Sequence, residues 1–158
     1  MAQDSYREVV VRRLEHARHE ASNSRGGTVR MGTGDTADFT PVELLLAAVA
    51  GCTGMDVDFI TTKRAEPNVF SLTMTAHKVR DDGGNRLTDL RLSFDVRFPD
   101  GPEGDAARES LPRAVQRSHD RLCTVSRTVE LGTPVAVVLQ GPASGPGGGA
   151  RTADGPAG

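Results

Sequence analysis

The alternation of apolar and polar residues divides the chain into elements. Val9-Val10-Val11 followed by Arg12-Arg13-Leu14 predicts a first strand. Residues 15–24 and 27–31 predict two more short strands, with turn signals at Ser24-Arg25-Gly26-Gly27. Residues 32–39 are rich in Gly, Thr and Asp and read as a loop. A long helix follows, because Thr40 suits the N-cap, Pro41 suits the first helical position, and Glu43 completes a capping box. Its body, Leu44 to Cys52, is apolar all round, which requires burial on nearly every side. It is expected to run to about Lys63 and to stop before Pro67.

A hairpin comes next. Phe70, Leu72, Met74 and Ala76 alternate with polar residues, Asp81-Asp82-Gly83-Gly84-Asn85 turns the chain, and Leu90, Leu92, Phe94, Val96 and Phe98 alternate on the return. Residues 104–122 predict a helix broken or kinked near Pro112. Cys123 follows directly, residues 124–130 suit another helical turn, and Pro134 to Leu139 predict a last strand. No internal repeat is visible. Strands, helix, strands, helices and strand in that order predict an α+β fold, with an antiparallel sheet wrapped around a central helix.

Composition narrows the picture. The 158 residues suit one core, and the last 18, from Gly141, are almost all Gly, Pro, Ala and Ser. Residues 1–140 are therefore expected to form the domain and residues 141–158 a disordered tail. A net charge of −2 gives no general attraction to nucleic acid or anionic lipid. Met1 to Ser5 has neither the basic nor the apolar region of a secretory signal. The most apolar run, Val42 to Ala50, is too short to span a bilayer. A soluble, cytoplasmic protein is expected.

The chain has two cysteines, 71 residues apart, with no CxxC, HxxxH or HExxH pairing that would indicate a metal site. Two such cysteines are most often unrelated buried thiols. Cys52 lies 12 residues past the N-cap, about 18 Å along the axis, beyond useful reach of the helix dipole. A reactive Cys52 therefore needs a cation from elsewhere in the fold. Gly51 and Gly54 either open the space beside its sulfur or allow close helix packing. Cys123 sits at a helix end, where it either starts the next helical turn as an acidified thiol or serves as a small buried hydrophobe.

The blocks Thr40-Pro41-Val42-Glu43-Leu44-Leu45-Leu46-Ala47-Ala48, Gly51-Cys52-Thr53, Asp56-Val57 and Ser118 to Ser126 together resemble the osmotically inducible protein C and organic hydroperoxide resistance (OsmC/Ohr) family. The resemblance covers roughly residues 7–140 and is nearest to the YhfA-like branch. It implies an intertwined homodimer with sites at the subunit interface. It also implies a thiol peroxidase in which Cys52 attacks an organic hydroperoxide and Cys123 resolves the sulfenic acid as a disulfide. An external dithiol, lipoyl-type in some relatives, would restore the pair. That chemistry needs no metal, flavin or haem.

The family's peroxidases place an arginine and a glutamate beside the reactive thiol. The glutamate position falls here on Val42. Glu43 is nine residues before Cys52, on the opposite helix face, so it reads as a cap. Asp56, one turn after Cys52, could anchor an arginine, although alone it opposes thiolate formation. Arg18 stands nearest the family's arginine position, with Arg13, Arg25 and Arg30 as alternatives. Three functions fit these residues. The first is a hydroperoxide reductase using Cys52, Cys123 and Arg18. The second is a cysteine hydrolase or transferase with His119 as base to Cys52. The third is a non-enzymatic dimer that binds an apolar ligand.

Overall fold

The computed structural model describes residues 5–140 and the backbone of Arg151–Thr152. Strands β1 (Val9–Glu15), β2 (Arg18–Asn23) and β3 (Thr28–Met31) form a three-stranded antiparallel sheet in that order. Ala17 takes the left-handed conformation in the β1–β2 turn, and Gly26 does so between β2 and β3. Helix α1 (Pro41–Thr61) follows, with the expected capping box. The Thr40 side chain accepts from the Glu43 N–H at 3.2 Å, and Glu43 Oε2 accepts from the Thr40 N–H at 2.7 Å. Strands β4 (Val69–Asp81) and β5 (Gly84–Arg97) form the predicted hairpin, closed at Asp82-Gly83.

Helix α2 (Pro102–Arg117) runs unbroken through Pro112, where a break or kink was expected. The irregularity comes later, as a single π-helical turn (Ser118–Leu122). Helix α3 (Thr124–Glu130) completes the segment. The expected strand over 134–139 shortens to β6 (Val138–Leu139), paired with β7 (Arg151–Thr152). Among the described residues, no strand pairs with residues 134–137. Apart from the backbone of β7, the segment expected to be a disordered tail lies outside the described residues.

The α+β, antiparallel architecture agrees with expectation, but α1 is buried differently within one chain. Its buried positions are Val49, Thr53, Gly54, Val57 and Thr61, a single stripe packed against α2, α3, the π turn and β4. Gly54 answers the packing question: a Cβ there would touch Leu72 and Phe70 of β4, whereas one at Gly51 would meet open space. On the other faces Met55 and Phe59 are 63% and 71% exposed. By length and composition alone α1 could cross a bilayer, because apolar residues continue past the Val42–Ala50 run considered above. It carries Asp56 and Asp58 and packs one stripe on the rest of the chain, as a core helix does. A small cluster of Ala65, Phe98 and Ala107, with Val96 and Leu111 against it, closes the other end of the hairpin over α2.

Candidate active site

Packing of α1 against the π turn and α3 brings the two distant cysteines together. Cys52 projects from α1 and is partly exposed, whereas Cys123 is completely buried. The two thiols are near enough to act on each other's protonation. Cys123 is the N-cap of α3, with extended backbone. Its amide donates to the Ser118 carbonyl at 2.9 Å, closing the π turn, and its carbonyl accepts from Arg127 N–H at 3.1 Å, opening α3. Its Sγ accepts from the Ser126 N–H at 3.4 Å and lies 3.1 Å from Ser126 Oγ.

The two sulfurs sit in different surroundings. Burial pushes the Cys52 thiol up and the backbone N–H of Val125 opposes this, but Cys123 and the Asp56 carboxylate add to the rise, and the net is upward. Burial also pushes Cys123 up. There, hydrogen bonds from the side chains of Ser126 and Thr53, the Ser126 amide and Cys52 outweigh it, and the thiol lies below its ordinary value. Asp56 is part-buried and held by Ser118, whose completely buried hydroxyl donates to Asp56 Oδ2 at 2.8 Å.

The other residues singled out from the sequence lie elsewhere or serve other ends. Glu43 caps α1, and the hydrogen bonds from Thr40 hold its carboxyl below the usual range. Arg18 begins β2 and pairs with Glu15 at 3.3 Å, and Arg30 pairs with Glu20 at 3.6 Å. No arginine is among the leading influences on Cys52. His119 is exposed and faces Glu130 at 3.6 Å. Asp56, which could have anchored an arginine, accepts a hydrogen bond from Ser118. Sequence reasoning gave no role to Thr53, Ser118 or Ser126, although each lies inside a block that carries the resemblance. Their polarity at buried positions becomes visible only with the fold, and the contribution of the Val125 amide has no side-chain signature at all.

A family model described as OsmC-like protein matches residues 32–138. An uncharacterized protein of Mycobacterium tuberculosis is 30% identical over 127 residues, covering 79% of this chain and 90% of that protein. Among solved structures, an OsmC-like protein from Mycoplasma pneumoniae superposes with a TM-score of 0.64 at 14% identity, covering 81% of this chain and 89% of that one. The organic hydroperoxide resistance protein OhrB of Bacillus subtilis superposes with a TM-score of 0.51 at 16% identity, covering 78% and 90%. At these identities the structural matches speak for the fold.

Proposed function

We propose that this chain, which belongs to the OsmC-like protein family, reduces organic hydroperoxides with Cys52 as the attacking sulfur and Cys123 as the resolving one. The observation that carries the reading is the meeting of two thiols 71 residues apart, one reachable from outside and the other enclosed. Hydroperoxide-resistance proteins among the structural neighbours give the reading a direction. Cys52 attacks the outer oxygen of ROOH, the O–O bond breaks, and the alcohol leaves. The Cys52 sulfenic acid then condenses with Cys123 to a disulfide and water. A small external dithiol returns both sulfurs to thiols.

In this reading the working unit is a homodimer. The exposed face of α1 and the valines of β1, Val9 and Val11, are apolar surface that a second copy would cover. Arg18 acts on Cys52 only across that interface, since within one chain its guanidinium is engaged by Glu15. The hydrolase reading has less support, because His119 is turned to Glu130 at the surface.

The test is mass spectrometry of the reduced protein after one equivalent of cumene hydroperoxide. A loss of two hydrogens mapped to a Cys52–Cys123 linkage is expected, with no peroxide consumed by Cys52→Ser. Peroxide consumption unaffected by that substitution would end the proposal.

A further inference from the structure

The end of α2 is tied to α1 by a directional contact beside the two cysteines. Packing between these helices uses small residues: Val49, Thr53 and Val57 are buried on α1, and Gly104, Ala107 and Ala114 on α2. Hydrophobic burial has no preferred direction, so surfaces this smooth fix depth better than register. Ser118 supplies the direction. Its hydroxyl donates to Asp56 Oδ2 at 2.8 Å, across 62 residues of sequence. Its amide donates to the carbonyls of Ala114 and Val115, and its carbonyl accepts from the Cys123 N–H at 2.9 Å. Asp56 stands one turn after Cys52 on α1. Two hydrogen bonds through Ser118 therefore connect the helix that carries one sulfur to the backbone that carries the other.

Burial alone does not explain this clasp. Ser118 is completely buried, so its hydroxyl needs a partner. A helical serine or threonine finds one in a carbonyl of the preceding turn, as Thr61 does with Val57, Ser110 with Ala107 and Thr128 with Thr124. Ser118 reaches across to α1 instead. Asp56 is only part-buried, so its own burial does not demand a serine either.

We propose that Asp56 and Ser118 are positioning residues that hold Cys123 against Cys52 for disulfide closure, the second step of the cycle. The step itself rests on the hydroperoxide-reductase reading above, whereas the placement of the thiols does not. In that step the Cys123 sulfur attacks the sulfur of the Cys52 sulfenic acid. The S–S bond forms as the S–O bond breaks, and the oxygen leaves as water with the sulfenic hydrogen and the Cys123 proton. A disulfide needs its two Cα atoms within about 4.4–6.8 Å. Cys123 follows a turn of unusual geometry, whose register the clasp fixes against α1. A pair held in register reacts at an effective concentration that a loosely placed pair does not reach. The main effect of the clasp falls on closure and not on O–O cleavage.

Closure can be timed without any peroxide. A dipyridyl disulfide should react with the reachable Cys52 of the reduced full chain, releasing one thiopyridone and leaving a mixed disulfide. Cys123 then displaces a second thiopyridone as the Cys52–Cys123 bond forms. In the wild type the second release should be fast and independent of reagent concentration. Ser118→Ala and Asp56→Ala should each slow it on the order of tenfold, with the first release changed far less. Combining the two should slow it no further, because either one alone opens the clasp. Asp56→Asn keeps an acceptor oxygen for the Ser118 hydroxyl and should close at nearly the wild-type pace. Asp56→Ala, at a part-buried position, carries the test if Ser118→Ala folds poorly. Closure at the wild-type pace in Asp56→Ala overturns the proposal, and so does an Asp56→Asn as slow as Asp56→Ala. A wild type that closes rapidly but consumes no cumene hydroperoxide ends the peroxidase reading and leaves the clasp standing. A wild type that releases a single thiopyridone ends both.

Discussion

Gly104 illustrates how much one residue position can depend on packing that has no local signature. A Cβ at this site would run into the carbonyl oxygen of Pro99, which is backbone and cannot turn aside. Gly104→Ala is therefore expected to destabilise the fold by about 2 kcal/mol, read as a lower denaturant midpoint at unchanged slope. The usual gain from replacing a helical glycine by alanine would be outweighed. Gly104 was not marked by the sequence, because its constraint comes from the chain reversal at Pro99 to Gly101. Cys52, Cys123 and Glu43 were marked, since a rare residue type or a fixed spacing identifies each. Thr53 and Ser126 are common residues, and their importance lies in which sulfur they reach.

At the scale of elements, α1 and the β4–β5 hairpin were legible because their signals are local: a cap, a periodicity and a turn. The Glu43 part of the cap has a pH signature. Its carboxyl is held below its unfolded value by the Thr40 hydrogen bonds, so the stability it adds is complete above about pH 4.5 and is lost as pH falls through the lower folded value. Asp95, beside Arg97, is shifted in the same direction and adds to the overall acid sensitivity. Melting temperatures followed from about pH 5 to 3 should therefore fall less steeply in Glu43→Gln than in the wild type. Equal slopes would show that the capping contact contributes nothing to folding. The elements that were misread depend on distant partners. A proline predicts a local helix fault, yet α2 passes Pro112 and departs from α geometry only at Ser118, where it must meet α1. The apolar run after Pro134 reads as a full strand, but a strand needs a neighbour, and among the described residues only Val138 and Leu139 of that run have one.

At the scale of the whole molecule, the apolar character of α1 exceeds what one chain covers. The sequence indicated a helix, as found, and burial on nearly every side, whereas a single chain buries one stripe of it; a sequence cannot say how many chains do the enclosing. The proposed homodimer should appear in light scattering at twice the 16.7 kDa of the chain. Phe59→Asp, at a position 71% exposed in the single chain, should shift the species toward one chain's mass. A wild type that runs at the single-chain mass would remove the dimer from the proposal.

The widened turn from Ser118 to Leu122 sets the phase of everything after it. In a regular α-helix, residues five apart point about 140° away from each other, so Ser118 and Cys123 could not both face α1. Closing the turn between those two residues brings both inward, one to steady a carboxylate and the other to meet a sulfur. The chemistry therefore depends on a count of residues as much as on their kinds. Removing Arg121 or Leu122 from this short stretch would rotate the second thiol out of register with the first while leaving Cys52, Asp56, Ser118 and Cys123 all still present in the chain.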